Sequence, residues 1–258
     1  MPNVIIRFYE ELNDFLPENS RKTDVEVPLK GKRSIKDMIE ALGVPHTEID
    51  LILVNNRSVD FNYILQDNDR VSVYPVFELL NITNITRLRK IPLRRNTFIA
   101  DINLGNIVKY MRVLGLDVYH DVSLSNREII EISNQKNRII LTQNKKLLKF
   151  KDVSHGMFIR QGTTTKQIRR IIEYLDIQKD IKPFSRCLRC NSLLIAVQKN
   201  NVLDRIPPKT KECCHEYGQC PSCDKIYWKG THFMNMEKIV RQILDQPHGC
   251  INNMAKCK

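Results

Sequence analysis

Four cysteines in two close pairs, Cys187-Leu-Arg-Cys190 and Cys220-Pro-Ser-Cys223, constrain this chain more than any other feature. Each Cys-x-x-Cys brings two thiols onto one tight turn, and two such turns complete a tetrahedron of sulfur ligands. The 29 residues between the pairs exceed the tightest zinc-finger spacing but fit a zinc ribbon. The spacing favours a structural zinc held by Cys187, Cys190, Cys220 and Cys223. Binding free energy in such sites is on the order of 10 kcal/mol or more, and it is also folding energy. Four sulfur ligands leave no open coordination position, so this metal would fix a hairpin rather than do chemistry. The alternatives are disulfides, which a reducing compartment disfavours, and a redox pair, which would be single and open a helix. Cys213, Cys214, Cys250 and Cys257 have no partner spacing and read as packed or exposed thiols; His215 and His232 are at most substitute ligands.

Charge divides the chain. Residues 1–78 hold 9 Lys and Arg against 14 Asp and Glu (−5), and residues 79–258 hold 32 against 15 (+17). A basic body suits an acidic polymer, nucleic acid first; a solvated Lys/Arg surface is the plainer alternative. No stretch approaches the roughly 20 apolar residues of a membrane span, and the first residues show no basic segment ahead of an apolar core, so no secretory signal is expected. Both point to a cytoplasmic chain.

The hydrophobic periods change along the sequence. Over residues 1–78, strand patterns at 3–9, 23–27, 51–54 and 70–74 surround one helix opened by Ser34, with Ile35, Met38, Ile39 and Leu42 on one face and Gly43 at its end. That order suggests a small β-grasp. Residues 79–96, with Arg87, Arg89, Lys90, Arg94 and Arg95, read as a basic linker, either lying along phosphates or a solvated tether. From 97 to 181, short apolar strands at 97–100, 117–119, 138–142 and 157–159 alternate with helices. Such alternation means an α/β unit, a mostly parallel sheet flanked by helices. Residues 182–234 carry the cysteine pairs, and 235–258 begin helical and end in a polar tail.

Open parallel sheets bind ligands beyond the carboxyl ends of their strands. Asp101 ends the first strand of this unit, Asp117 begins the second, at the opposite edge unless the register differs, and Glu128 opens the next helix. Carboxylates gathered at a strand end collect magnesium or manganese, which can activate water for phosphodiester cleavage. Structural roles compete: Asp101 can cap the helix that follows it, and Ser125-x-x-Glu128 is a capping box. Lys109 and Arg112 lie off the apolar stripe of Leu104, Ile107, Val108, Met111 and Leu114, where they could hold phosphates. Beyond the second cysteine pair, Lys225, Tyr227, Trp228, Lys229 and His232 interleave basic and aromatic residues, as surfaces that stack bases do; alternatively the rings pack under the ribbon.

Three stretches, Phe98-Ile-Ala-Asp101-Ile-Asn-Leu-Gly105, Tyr110-Met-Arg112-Val-Leu-Gly115-Leu-Asp117 and Arg138-Ile-Ile-Leu-Thr142, resemble the Mut-seven C-terminal RNase family, whose fold is PIN-like. Lys182-Pro-Phe-Ser-Arg-Cys187 and Ile226-Tyr-Trp-Lys-Gly230-Thr-His232 resemble the zinc ribbon that ends that domain. Residues 1–78, with Gly43-Val-Pro-His-Thr-Glu-Ile-Asp-Leu-Ile-Leu-Val54, look like the ubiquitin-like, sulfur-carrier-like domain fused ahead of it. The resemblance implies a prokaryotic cytoplasmic hydrolase that cleaves RNA with a divalent metal. It places Asp101 at the acid ending the first strand, Glu128 near the acid that opens the following helix, and Asp117 at a position of less defined role. Where family members read Thr-x-Asp, this chain reads Thr142-Gln-Asn144. Asn144 keeps a carbonyl oxygen but loses the charge, which should lower metal affinity. A metal-dependent ribonuclease, an inactive RNA-binding or adaptor relative, and a nuclease restrained in cis all fit. The N-terminal domain runs through Tyr74-Pro-Val-Phe-Glu78 without Gly-Gly, which argues against sulfur transfer. Its acidity suggests that it folds over the basic body and competes with RNA.

Overall fold

A computed structural model of the chain describes residues 2–75, 86–88 and 96–244. Most of the basic linker, including Arg89, Lys90, Arg94 and Arg95, lies outside the described residues, as do the polar tail, Cys250, Cys257 and the side chain of Cys213. Within the described residues, three sheets carry the fold.

The first sheet is made by β1 (Asn3–Phe8), β2 (Asp24–Pro28), β3 (Ile49–Val54), β4 (Arg57–Ser58) and β5 (Arg70–Pro75), in the order β2-β1-β5-β3-β4. β1 and β5 run parallel at its centre, and the other pairs are antiparallel. Alternate residues Val4, Ile6 and Phe8 are buried with Ile35, Met38 and Ile39 of α1 (Ile35–Ala41). Ser34 caps that helix by accepting from the Asp37 amide at 3.2 Å. This is a ubiquitin-like β-grasp. A 3-10 segment at Glu10–Phe15, which no helical or strand period announces, buries Leu12, Asn13 and Phe15. The Asn13 amide holds it by donating to the Phe8 and Glu10 carbonyls, each at 3.0 Å.

The second sheet contains β6 (Thr97–Ala100), β7 (Asp117–Tyr119), β8 (Ile139–Thr142) and β9 (Gly156–Phe158), all parallel in the order β7-β6-β8-β9. The period of two sorts its strands between two faces. Phe98, Ala100, Ile139 and Leu141 pack with α2 (Gly105–Val113) and α5 (Thr164–Tyr174), whereas Ile99 and Ile140 pack with α3 (Asn126–Lys136) and α4 (Lys145–Leu148). The result is a PIN-like sheet flanked by helices.

The third sheet is antiparallel: β10 (Ile195–Val197), β11 (Tyr217–Gln219) and β12 (Ile226–Trp228). Val202, Ile206, Cys214 and Tyr217 fill its small core beside α6 (Pro208–Cys213). The last helix, α7 (Thr231–Leu244), starts before residue 235 and returns Val240 and Ile243 to the core of the second sheet. Among the described residues no helix is long and apolar enough to cross a membrane.

The ribbon is joined to the sheet at the end of α2. The amides of Lys182 and Phe184 donate to the Leu114 and Val113 carbonyls at 2.9 and 2.7 Å, satisfying orphan groups of that helix end. Gly115 makes this approach possible. Its φ is +84°, and a Cβ there would overlap the Lys182 carbonyl and the Ser185 hydroxyl. Gly115→Ala should therefore lower stability by about 2–4 kcal/mol, read as a shift of the urea midpoint with unchanged slope; a loss below about 0.5 kcal/mol would show that the junction yields instead.

Candidate active site and cysteine centre

The pairing of β6 with β8 sets Ala100 opposite Leu141, so Asp101 and Thr142 leave the sheet side by side at its carboxyl edge. Asp101 is buried, 5% exposed, and caps the turn that follows it by accepting from the Asn103 amide at 3.0 Å. Its Oδ2 accepts from the Thr142 hydroxyl and, at 3.3 Å, from the Gln143 amide. The Asn144 amide donates in turn to Thr142 Oγ1 at 2.9 Å. Asn144 is exposed, and its Oδ1 accepts from the Lys146 amide at 3.0 Å as the cap of α4. One carboxylate and one hydroxyl thus meet where two neighbouring strands end, and Asn144 follows two residues after Thr142 with its side-chain carbonyl on the Lys146 amide.

The other acids behave differently. Asp117 pairs with Thr97 at the start of β6, four residues or about 13 Å along the strand from Asp101. There it receives Arg138 Nη1 at 2.5 Å and Asn191 Nδ2 at 2.9 Å, with Arg186 at 3.5 Å. Burial opposes its charge, but the hydrogen bond from Arg138 and then that from Asn191 hold its carboxyl below the usual range. This corrects the expectation for Asp117: it is a structural anchor at the opposite edge. Glu128 makes the capping box, its Oε2 accepting from the Ser125 amide and hydroxyl, each at 2.7 Å. The Ser125 amide bond also holds its carboxyl low. Among the described residues Asp101, Glu128 and Asp117 do not gather as a three-ligand group.

Two residues that the sequence reading passed over lie at the carboxyl edge. β7 ends with Tyr119 opposite Ile99, so His120 and Asp121 leave the sheet where Asp101 does. The Nε2 of His120 is buried and has no hydrogen-bond partner among the described residues. Asp121 is exposed and close enough to Glu128 to oppose its ionisation. The signal for both was positional: they follow a parallel strand directly, as Asp101 does.

The four ribbon cysteines bring their sulfurs within 4.8 Å of one another, the sole group of this kind among the described residues. Cys187 and Cys223 lie 3.5 Å apart, and Cys190 and Cys220 3.3 Å. These separations are far beyond the disulfide bond length of about 2.05 Å. They are near the ligand separation of about 3.8 Å that Zn–S bonds of about 2.3 Å give in a tetrahedron. The donor set and spacing could hold a structural metal such as zinc.

Arg112 belongs to this centre and not to a phosphate surface. It is 5% exposed. Its Nε and Nη2 donate to the Val118 carbonyl at 3.1 and 2.9 Å, and its Nη1 donates to the Leu188 and Arg189 carbonyls at 3.0 and 2.9 Å. Leu188 and Arg189 are the interior of the first cysteine turn, so one guanidinium ties that turn to β7. The expectation that Arg112 meets RNA fails because position 112 of α2 faces the ribbon rather than solvent. Trp228 is partly buried against the ribbon core, and the Tyr227 hydroxyl accepts from the Leu188 amide at 3.0 Å. Lys109, Lys225, Lys229 and His232 remain exposed; Lys229 pairs with Glu216 at 2.5 Å.

The Val118 amide also depends on the ribbon, donating to Asn191 Oδ1 at 3.1 Å. Replacing Cys220 with serine should loosen both turns and speed hydrogen exchange at Val118 at least about tenfold. Exchange at Phe158, on the far strand, should hold. Equal change at both amides, or none, would contradict the clamp.

Residues 96–240 match the Mut7-C RNAse domain, and residues 1–81 match Mut7-C ubiquitin. No curated protein and no solved structure matches the chain. The RNase match spans more than half of the chain and includes the carboxyl edge, the Arg112 clamp and all four cysteines. With its parallel sheet, its cysteine ribbon and the ubiquitin-like domain ahead of them, this chain belongs to the Mut7-C RNase-domain family.

Proposed function

We propose that this protein is a metal-dependent ribonuclease whose divalent cation is held at the carboxyl edge of the second sheet. The observation that carries the reading is the joint exit of Asp101 and Thr142-Gln-Asn144 from neighbouring parallel strands. Hard cations take oxygen donors, and the Asp101 carboxylate and the Asn144 carbonyl are the pair that would hold one. A bound magnesium or manganese supplies charge for the phosphodiester oxygens and a more acidic water. The chain's own part is positional. The Asn103 and Gln143 amides and the Thr142 hydroxyl fix the Asp101 carboxylate. Exposed Asp121 and Glu128 add negative charge that draws cations to this edge. Lys109 and the ribbon's Lys225, Lys229 and His232 extend the surface that RNA follows, with Trp228 beside them. The four cysteines hold a structural zinc, and free thiolates suit a cytoplasmic chain.

A second reading, a binding-only relative, is favoured by one observation: a single carboxylate and a neutral amide stand where several charged ligands would bind metal more tightly. Cleavage of labelled single-stranded RNA with manganese separates the two. The ribonuclease reading expects Asp101→Asn to lower the rate at least about 100-fold and Asn144→Asp to raise it. Wild type and Asp101→Asn both inert, with Asn144→Asp active, would leave the binding-only reading standing.

A further inference from the structure

We propose that Lys145, Lys149, Arg160 and Arg170 form a phosphate-binding surface for an RNA backbone, on which Asp14 of the ubiquitin-like domain sits in place of a phosphate. The identity of the polyanion as RNA rests on the ribonuclease reading; the surface itself rests on geometry.

Two of the four cations stand beside the candidate site. Lys145 follows Asn144, and Arg160 follows the end of β9, so both lie at the carboxyl edge that carries Asp101. They are crowded together. Burial, then Lys149, Arg160 and Arg21, holds the Lys145 ammonium below the usual lysine range. Burial and then Arg170 act in the same direction on Arg160, opposed by Asp14, Glu48 and Glu11. Such a crowd of cations attracts anionic oxygens.

The ubiquitin-like domain brings one carboxylate and two neutral carbonyls to it. Asp14 Oδ2 lies 2.9 Å from Arg160 Nε and 3.9 Å from Arg170 Nη2. The Glu11 carbonyl accepts from Arg160 Nη2 at 2.8 Å, and the Glu40 carbonyl accepts from Lys149 Nζ at 2.6 Å. Lys145 Nζ lies over the rings of Phe15 and Phe158, 4.9 and 5.3 Å from their centres. The Asp14 contact is an ion pair of one carboxylate oxygen with two guanidinium groups, and a phosphate oxygen can take that place. A groove of about 570 Å³ continues the surface past Arg160, Gln161 and Gly162 to Lys166 and Arg170, with Glu11 on its other wall. Asp14 is half exposed, and exposed ion pairs are weak, so a strand of phosphates can displace it.

The test is RNA affinity of the full chain, measured on labelled single-stranded RNA at low salt without added divalent cation. Asp14→Asn should raise affinity about two- to fivefold, the size of one part-exposed ion pair. Asp24→Asn makes the same charge change on a residue whose partners, Arg7 and Arg70, lie within its own domain, and it should have no such effect. Adding Arg170→Gln to Asp14→Asn should cancel the gain and make the salt dependence shallower by about one unit of slope. Exchange at the Phe158 amide, which donates to Glu48 Oε1 at 2.6 Å, should quicken in Asp14→Asn as the domain lifts. Equal gains from both aspartate variants, no gain or a loss from Asp14→Asn, or no effect of Arg170→Gln overturns the proposal. Asp101-dependent cleavage with no Asp14 effect overturns this proposal alone. Asp14-controlled binding without cleavage overturns the ribonuclease reading alone, and no RNA binding at all overturns both.

Discussion

An open parallel sheet has two edges, and each leaves backbone groups that must find partners. Much of this protein's architecture answers that constraint. At the β7 edge, Val118 gives its amide to Asn191 and its carbonyl to Arg112, both fixed by the first cysteine turn. At the β9 edge, the Phe158 amide goes to the Glu48 carboxylate, which is 3% exposed beneath the ubiquitin-like domain. The ribbon and the β-grasp are thus the two covers of one sheet. The ribbon closes the β7 side, whereas the β-grasp reaches from the β9 side to Lys145 and Arg160 beside the strand ends that carry Asp101.

The covers differ in chemistry. The ribbon side is held by a buried guanidinium on neutral carbonyls, by backbone pairs at the end of α2, and by Asp117 between two arginines. Breaking any of these leaves buried polar groups without partners, which makes this junction costly to open. The β-grasp side mixes buried contacts, such as His46 Nε2 on the Val153 carbonyl at 3.0 Å, with part-exposed ion pairs around Asp14. Screened charges are the weaker kind of hold, and the proposed competition by RNA falls on that second cover.

Most of the fold was legible because its signals are local. The short apolar runs at 97–100 and 138–142, the apolar stripe of α2, the Ser125 capping box and the paired cysteines each state their structure in a few residues. What escaped depends on tertiary placement. Arg112 lies off the main apolar stripe, and only the arrival of residues 188 and 189 makes position 112 an interior site. Asp101 ends its strand and Asp117 begins the next, which already set them at opposite edges; the partners that make Asp117 an anchor, Arg138, Arg186 and Asn191, come from distant parts of the chain. The segment Glu10–Phe15 has no usable period, yet it supplies Asp14 and Phe15 to the contact with the RNase domain. The acidic balance of residues 1–78 suggested a contact with the basic body, but charge totals could not say which residues make it.

The central claim is that the edge bearing Asp101, Thr142 and Asn144 binds a divalent cation. Anomalous diffraction from crystals soaked in manganese tests it most directly. The account predicts a peak within bonding distance of an Asp101 carboxylate oxygen and Asn144 Oδ1, lost in Asp101→Asn. An empty edge at saturating manganese, or a peak that persists without the Asp101 carboxylate, would contradict it.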